Sequence, residues 1–292
     1  MVSIQAKALN RILKLANLKK MMGNSVKDGG RGVGKGSKPP NSIYRSLDVE
    51  KSQVLGRSVY TLKTKDGLNG KHVLYLHGGA YVYGFSKFHW KFVSQLVQAS
   101  GHTFVAPDYP LAPKHTYIDS YRMVIPVYKD LVDRVGADNV ILMGDSAGGG
   151  FALSLAQAMK AEGVDSAAQI IMVSPWLDLE LKNEGIKDLE SRDPILAVSS
   201  LRKAAMSYAG GDSLSNHLLS PINGDLDGLG EISIFIGTND ILLADVRRLK
   251  KMAEERGVTI RYFEYADMLH DWVLFSLPES KEAVDQIAAL IE

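Results

Sequence analysis

From about Ile43 to the end of the chain, short apolar runs alternate with longer stretches in which apolar residues recur every three or four positions. The short runs predict strands over 57–62, 72–76, 103–106, 140–143, 170–173, 232–236 and 259–263. Several are close to continuously apolar, the pattern of strands buried on both faces rather than on one. The longer stretches predict helices over 87–98, 120–135, 147–161, 241–255 and 280–291. Such strand–helix alternation predicts an α/β fold, a mostly parallel sheet covered by helices on both sides. No internal repeat is found. Residues 181–216 break the rhythm, being polar and then helical. An insertion on the carboxyl side of such a sheet would lie above the place where open α/β sheets bind ligands, so it is read as part of a cap.

The first forty residues have a different pattern. Ile4, Ala8, Leu9, Ile12, Leu13 and Ala16 recur at helical spacing, interleaved with Lys7, Arg11, Lys14, Lys19 and Lys20. This predicts an amphipathic helix over 3–22. A Gly- and Lys-rich stretch over 29–40 follows and reads as a linker. Its Gly32-Val33-Gly34 does not make a nucleotide-binding loop, because the full fingerprint is absent and no strand precedes it. The chain therefore divides into a cap helix with linker, 1–42, and an α/β domain, 43–292. The basic helix is read as a cap element whose lysines face solvent; contact with a membrane surface is the rival reading.

At 292 residues the chain is long enough for one large core. Its formal net charge of +1 gives no strong field toward nucleic acid or membrane. The absence of cysteine excludes disulfides, thiolate zinc sites and a cysteine nucleophile, and fits a cytoplasmic home. No apolar run approaches the roughly 18 residues of a membrane span. The N-terminus lacks the continuous apolar stretch of a secretory signal.

The strongest chemical signal is Gly144-Asp145-Ser146-Ala147-Gly148, between the apolar strand 140–143 and the helix 147–161. That strand–turn–helix context is what a nucleophile elbow requires. The chain must reverse sharply with Ser146 strained at the tip, and glycines on either side remove side chains that would collide. The helix starting beneath Ser146 leaves the Ala147 N–H free to donate to an anion. A second signal, His77-Gly78-Gly79-Ala80, ends the strand 72–76. Acyl transfer passes through a tetrahedral oxyanion, and fixed backbone N–H groups around it are often the largest catalytic term. The Gly79 and Ala80 amides, with Gly78 in reserve, are assigned to that role beside Ala147. His77 is read as a hydrogen bonder that stabilises the loop.

Serine also needs a base. Of the seven histidines, only His270 follows the last strand and precedes the last helix. The chain order serine, acid, histidine of this kind of site selects it too. Asp240, just after the strand 232–236, is the favoured acid, with Asp245 second; Asp267 and Asp271 flank the histidine loop.

Together these motifs resemble the hormone-sensitive-lipase-like (bacterial family IV) carboxylesterases. The resemblance covers nearly the whole chain after about residue 55. It rests on His77-Gly78-Gly79-Ala80, Asp108-Tyr109-Pro110-Leu111-Ala112-Pro113, Gly144-Asp145-Ser146-Ala147-Gly148-Gly149 and Ser174-Pro175-Trp176-Leu177-Asp178, in that order. It implies an α/β-hydrolase fold with an eight-stranded sheet, a cap from the N-terminus plus an insertion, and hydrolysis of small-molecule carboxylic esters, usually of short acyl chains. By position, Ser146, Asp240 and His270 fall on the family triad, and Ala147 with residues 78–80 on its oxyanion hole. Three departures stand out. Ala80 replaces the usual third glycine. Lys114 replaces an acidic residue and puts a customary ion pair in doubt. Asp271-Trp272 replaces the common Gly-Phe, so Trp272 either narrows the pocket or packs in the core.

The expected mechanism is acylation of Ser146 followed by hydrolysis, with no metal or organic cofactor required. An amidase or peptidase on the same scaffold would present the same residues. A receptor that had lost catalysis would require a broken triad, and none of the three positions is broken. Dimerisation through a sheet edge is compatible with the fold.

Overall fold

In the computed structural model, which describes residues 2–15, 19, 36–67 and 70–291, eight strands form one sheet. They are β1 (Asp48–Val54), β2 (Arg57–Lys63), β3 (His72–Leu76), β4 (Thr103–Pro107), β5 (Val140–Asp145), β6 (Gln169–Val173), β7 (Glu231–Asn239) and β8 (Ile260–Leu269). Their order is β1-β2-β4-β3-β5-β6-β7-β8. Every neighbouring pair from β4 to β8 is parallel, while β2 is antiparallel to both β1 and β4. The fold is thus an α/β-hydrolase with a mostly parallel eight-stranded sheet.

The helices among the described residues are α1 (Ile4–Leu15), α2 (Asn41–Ser46), α3 (Lys87–Ser100), α4 (Tyr117–Val135), α5 (Ala147–Ala161), α6 (Ile186–Glu190), α7 (Val198–Ala209), α8 (Leu243–Glu255) and α9 (Pro278–Ile291). None is long and apolar enough to cross a membrane. They divide between the two faces of the sheet because side chains alternate along each strand. Leu74, Leu76 and Leu142 point to the face covered by α4, α5 and α8. Val73, Tyr75, Ile141 and Met143 point to the face covered by α3 and α9. Burial on both sides explains why β3 to β7 read as apolar runs.

The structure departs from the sequence reading in several places. β1 has no counterpart among the predicted strands. It is an edge strand with no buried residue, and its pairing with β2 across the tight Leu55-Gly56 turn makes it a strand. β8 runs to Leu269 rather than ending near residue 263, because its pairing with β7 continues past a bulge at Gly237/Asn239. α4 begins at Tyr117, where Thr116 and Asp119 form a capping box.

The predicted helix over 3–22 is seen as α1; most of 16–35, including Gly32-Val33-Gly34, lies outside the described residues. α1 sits beside β8 and α9. Asn10 Nδ2 donates to the Asp267 carbonyl at 3.0 Å, and the Ser3 amide and hydroxyl donate to Glu279 at 2.6 and 2.9 Å. The stretch 181–216 holds α6 and α7, and its buried Ile186, Leu189, Leu201 and Tyr208 join the core of the α4–α5–α8 face.

Candidate active site

β5 passes into α5 through a reversal at Ser146, which lies at φ 50°, ψ −119°. L residues reach that region only under strain. Surrounding backbone holds the turn. The Ser146 amide donates to the Val173 carbonyl at 2.9 Å, and the Ser146 carbonyl accepts from Trp176 at 2.9 Å and Gly149 at 3.1 Å. At Gly148, a Cβ would stand 1.9 Å from the Leu76 carbonyl oxygen on β3. Neither main-chain segment can swing aside, so α5 would have to lift from the sheet and take Ser146 with it. Gly148→Ala is therefore expected to destabilise by about 3 kcal/mol or more, the upper end of the overpacking range. In a thermal melt that is a fall in Tm of roughly 5 °C; an unchanged Tm would show that the helix has room.

Side chains from three loops converge on this turn. The Ser146 hydroxyl lies 2.8 Å from His270 Nε2, and His270 Nδ1 lies 2.8 Å from Asp240 Oδ2. With Nδ1–H donating to Asp240, Nε2 is left to accept from the serine hydroxyl. His270 is the first residue after β8, and Asp240 the first after β7. The carboxyl ends of adjacent strands thus bring together residues 30 positions apart. The other Asp240 oxygen accepts from the Leu242 amide at 2.9 Å, fixing the carboxylate plane. Burial disfavours a charged His270, but Asp240 and Asp271 outweigh it and hold its pKa well above the usual imidazole range. Asp245 is not brought to His270: its Oδ1 accepts from Asn183 Nδ2 at 2.9 Å, and burial pushes it up to about 6. The backbone carbonyl of Asp267 accepts from Asn10 and Asn239.

Above Ser146 lies a cavity of about 340 Å³, walled chiefly by Tyr83, Phe88, Ile195, Leu196, Leu201 and Phe275. Gly79 and Ala80 line it together with Ser146 and His270. Gly79 has φ 116°, which glycine tolerates, and its carbonyl accepts from the Val82 and Tyr83 amides at 3.0 and 2.9 Å. This tight turn forces Ala80 to φ 52° and Tyr81 to φ 60°. The amides of Gly79, Ala80 and Ala147 meet no acceptor among the described residues. Gly78 packs against the elbow: a Cβ there would be 2.3 Å from Asp145 Oδ2 and 2.9 Å from the Ser146 Cβ.

His77 is buried, its ring stacked 4.3 Å from that of Tyr109, with Nδ1 2.7 Å from the Gly78 carbonyl. Its own carbonyl accepts from the Tyr109 hydroxyl. Burial, reinforced by His89, lowers its pKa to about 3, so it stays neutral. Trp272 is fully buried against Tyr265, ring centroids 4.8 Å apart, and does not line the cavity. Of its two readings, core packing is the one observed. Lys114 is exposed and forms no ion pair among the described residues.

Two functional neighbours were not singled out in the sequence. His89, on α3, lines the cavity. Its Nδ1 accepts from the Ser86 amide at 2.9 Å in a capping box, and its Nε2 lies 3.3 Å from Asp145 Oδ2. Burial disfavours the His89 cation, but Asp145 raises its pKa nonetheless. The Ser86-to-His89 spacing after the glycine motif was the available signal. Asp193, from the stretch 181–216, accepts from the Ile195 and Leu196 amides at 2.7 and 2.9 Å and from Ile241 at 3.0 Å. It ties the cavity wall to the loop that carries Asp240. Burial, helped by Asp240, pushes it up to about 6.

Comparison with known proteins gives the family. A family model described as alpha/beta hydrolase fold matches residues 73–274. An acetyl-hydrolase from Streptomyces hygroscopicus is 30% identical over 226 residues, 76% of this chain and 76% of that one. An esterase from Acinetobacter venetianus is 30% identical over 220 residues, 74% of this chain and 73% of that one. Among solved structures, a hormone-sensitive lipase from a metagenome library superposes with TM-score 0.85 at 26% identity, covering 100% of this chain and 98% of the other. With the match spanning most of the sheet, from β3 to the residues just past His270, the chain belongs to the α/β-hydrolase fold family, in its hormone-sensitive-lipase-like branch of serine ester hydrolases.

Proposed function

We propose that this protein hydrolyses carboxylic esters of short to medium acyl chain length through an acyl-enzyme on Ser146. The observation that carries the reading is the hydrogen-bonded chain Ser146–His270–Asp240, at 2.8 Å for each link, beneath an apolar cavity. As Ser146 Oγ bonds to the ester carbon, its proton passes to His270 Nε2. Asp240 keeps the imidazole in the receptive tautomer and stabilises the imidazolium. The carbonyl oxygen gains charge opposite the Gly79, Ala80 and Ala147 amides, which need no reorganisation to receive it. The Nε2 proton then goes to the leaving alkoxide as the C–O bond breaks. Water repeats the sequence on the acyl-enzyme and frees the acid.

The cavity stands at the lower end of the roughly 300–1,000 Å³ usual for small-molecule sites, which favours small esters over long-chain ones. A p-nitrophenyl ester panel from acetate to palmitate is expected to give its highest kcat/KM at or below the medium acyl lengths. A matched anilide should turn over far more slowly. A fluorophosphonate should add once per chain, on the peptide that contains Ser146. A palmitate optimum would sink the chain-length reading, and a label on any other serine would sink the nucleophile assignment.

A further inference from the structure

His270 Nε2 faces two oxygens. One is the Ser146 hydroxyl at 2.8 Å; the other is Asp271 Oδ2 at 3.2 Å. Asp271 lies at φ 50°, a left-handed conformation that Asp and Asn tolerate better than most residues. Its amide donates to Ser174 Oγ at 3.2 Å, and the residue lines the cavity floor beside Ser146. The sequence alone marks it only as a departure from the Gly common after the family histidine.

A carboxylate against Nε2 acts differently on the two forms of the imidazole. Toward neutral His270 with its proton on Nδ1, it faces a lone pair and repels it. Toward the imidazolium it faces an N–H and accepts from it. The contact therefore favours the charged form. The other charged or titratable groups around this pair are few. Asp240 holds Nδ1, and Asp193 stands behind it on the Ile241 amide. Asp145 lies across the elbow, shared between His89 and the Tyr75 hydroxyl. Lys19 reaches the cavity but donates to the Glu190 carbonyl. Burial, helped by the Asp145 charge, pushes Asp271 up, while the His270 charge 3.2 Å away pulls it back down, so the carboxylate and the imidazolium favour each other.

We propose that Asp271 is a positioning residue of the hydrolytic cycle: it is a second acceptor for the His270 Nε2 proton, competing with Ser146 and the leaving oxygen, and it sets the enzyme's working range on the alkaline side. The inference rests on the ester-hydrolase reading above. No proton is lost or gained by Asp271 over a turnover. The proton taken from Ser146 rests on Nε2, within reach of Asp271, and is delivered to the leaving alkoxide.

The test is the pH profile of kcat/KM for p-nitrophenyl butyrate in wild type, Asp271→Asn and Asp271→Gly. Both replacements suit the left-handed backbone, and Asn keeps the shape while removing the charge. The acidic limb is expected to move down by about one pH unit or more in both variants, since one pH unit is a tenfold change in protonation. KM should stay within about twofold, and both variants should outpace wild type severalfold near pH 6. Packing alone would not give that gain. An acidic limb that stays put in Asp271→Asn overturns the proposal, whatever Asp271→Gly does. If the Asn variant does not fold, the Gly variant is judged by the same criterion. A wild type with no histidine limb at all would instead sink the ester-hydrolase mechanism, while a normal limb indifferent to residue 271 sinks this inference alone.

Discussion

Ser146→Ala is expected to lower kcat/KM for p-nitrophenyl butyrate by about 10⁴-fold or more, with Tm within a degree or two of wild type. The replacement removes one hydroxyl from a residue only 6% exposed and leaves every backbone bond of the elbow in place. Alanine has the same Cβ as serine at φ 50°, so the strain of the turn is unchanged. What disappears is the atom proposed to form the acyl-enzyme. The amides proposed to face the oxyanion and the apolar cavity remain, and in serine hydrolases of other folds such groups still give about 10³–10⁴-fold over water. A competitive inhibitor should therefore bind Ser146→Ala nearly as well as wild type. Retention of more than a few percent of the rate in a well-folded variant would mean that another group attacks the ester.

The legibility of the candidate site in the sequence has a physical basis. β5 is buried on both faces, so Val140 to Met143 must be apolar, and the reversal after it needs Gly148 where α5 touches β3. Both demands leave a local trace. His270 and Asp240 leave a weaker one, but parallel strands put their carboxyl ends on one rim, so chain order alone narrows the choice. β1 left none: Asp48 to Val54 sits on the sheet edge facing solvent, where no apolar alternation is required. The far half of β8 was missed for a similar reason. Glu264, paired with Ile236 and bonded to Arg247 at 3.1 Å, belongs to an exposed stretch that pairing rather than burial holds in line. Asp193 acts by closing a distance between segments 48 residues apart, which no local pattern records. Asp271 was visible as an unusual residue, but its meaning depends on 3.2 Å that only coordinates supply.

Asp240→Asn is expected to cost about 10⁴-fold in kcat, with KM little changed, because it reverses the tautomer of His270. The orientation of the new amide is not free. Asp240 Oδ1 accepts from the Leu242 N–H at 2.9 Å, and an asparagine will keep its carbonyl oxygen there. Its NH₂ must then take the place of Oδ2, 2.8 Å from His270 Nδ1. Two donors cannot face each other, so Nδ1 becomes the acceptor and the ring proton moves to Nε2. That N–H meets Asp271 Oδ2 at 3.2 Å, which holds the wrong tautomer more firmly. Ser146 then faces a donor and cannot be deprotonated. Asp245→Asn, by contrast, should change kcat by no more than a few-fold, because that carboxyl is bonded to Asn183 and has no link to the imidazole. If the two variants behave alike, Asp240 is not the acid. Combining Asp240→Asn with Asp271→Asn should recover part of the loss, since removing the Asp271 charge weakens the hold on Nε2–H. No recovery would mean that the asparagine alone fixes the ring.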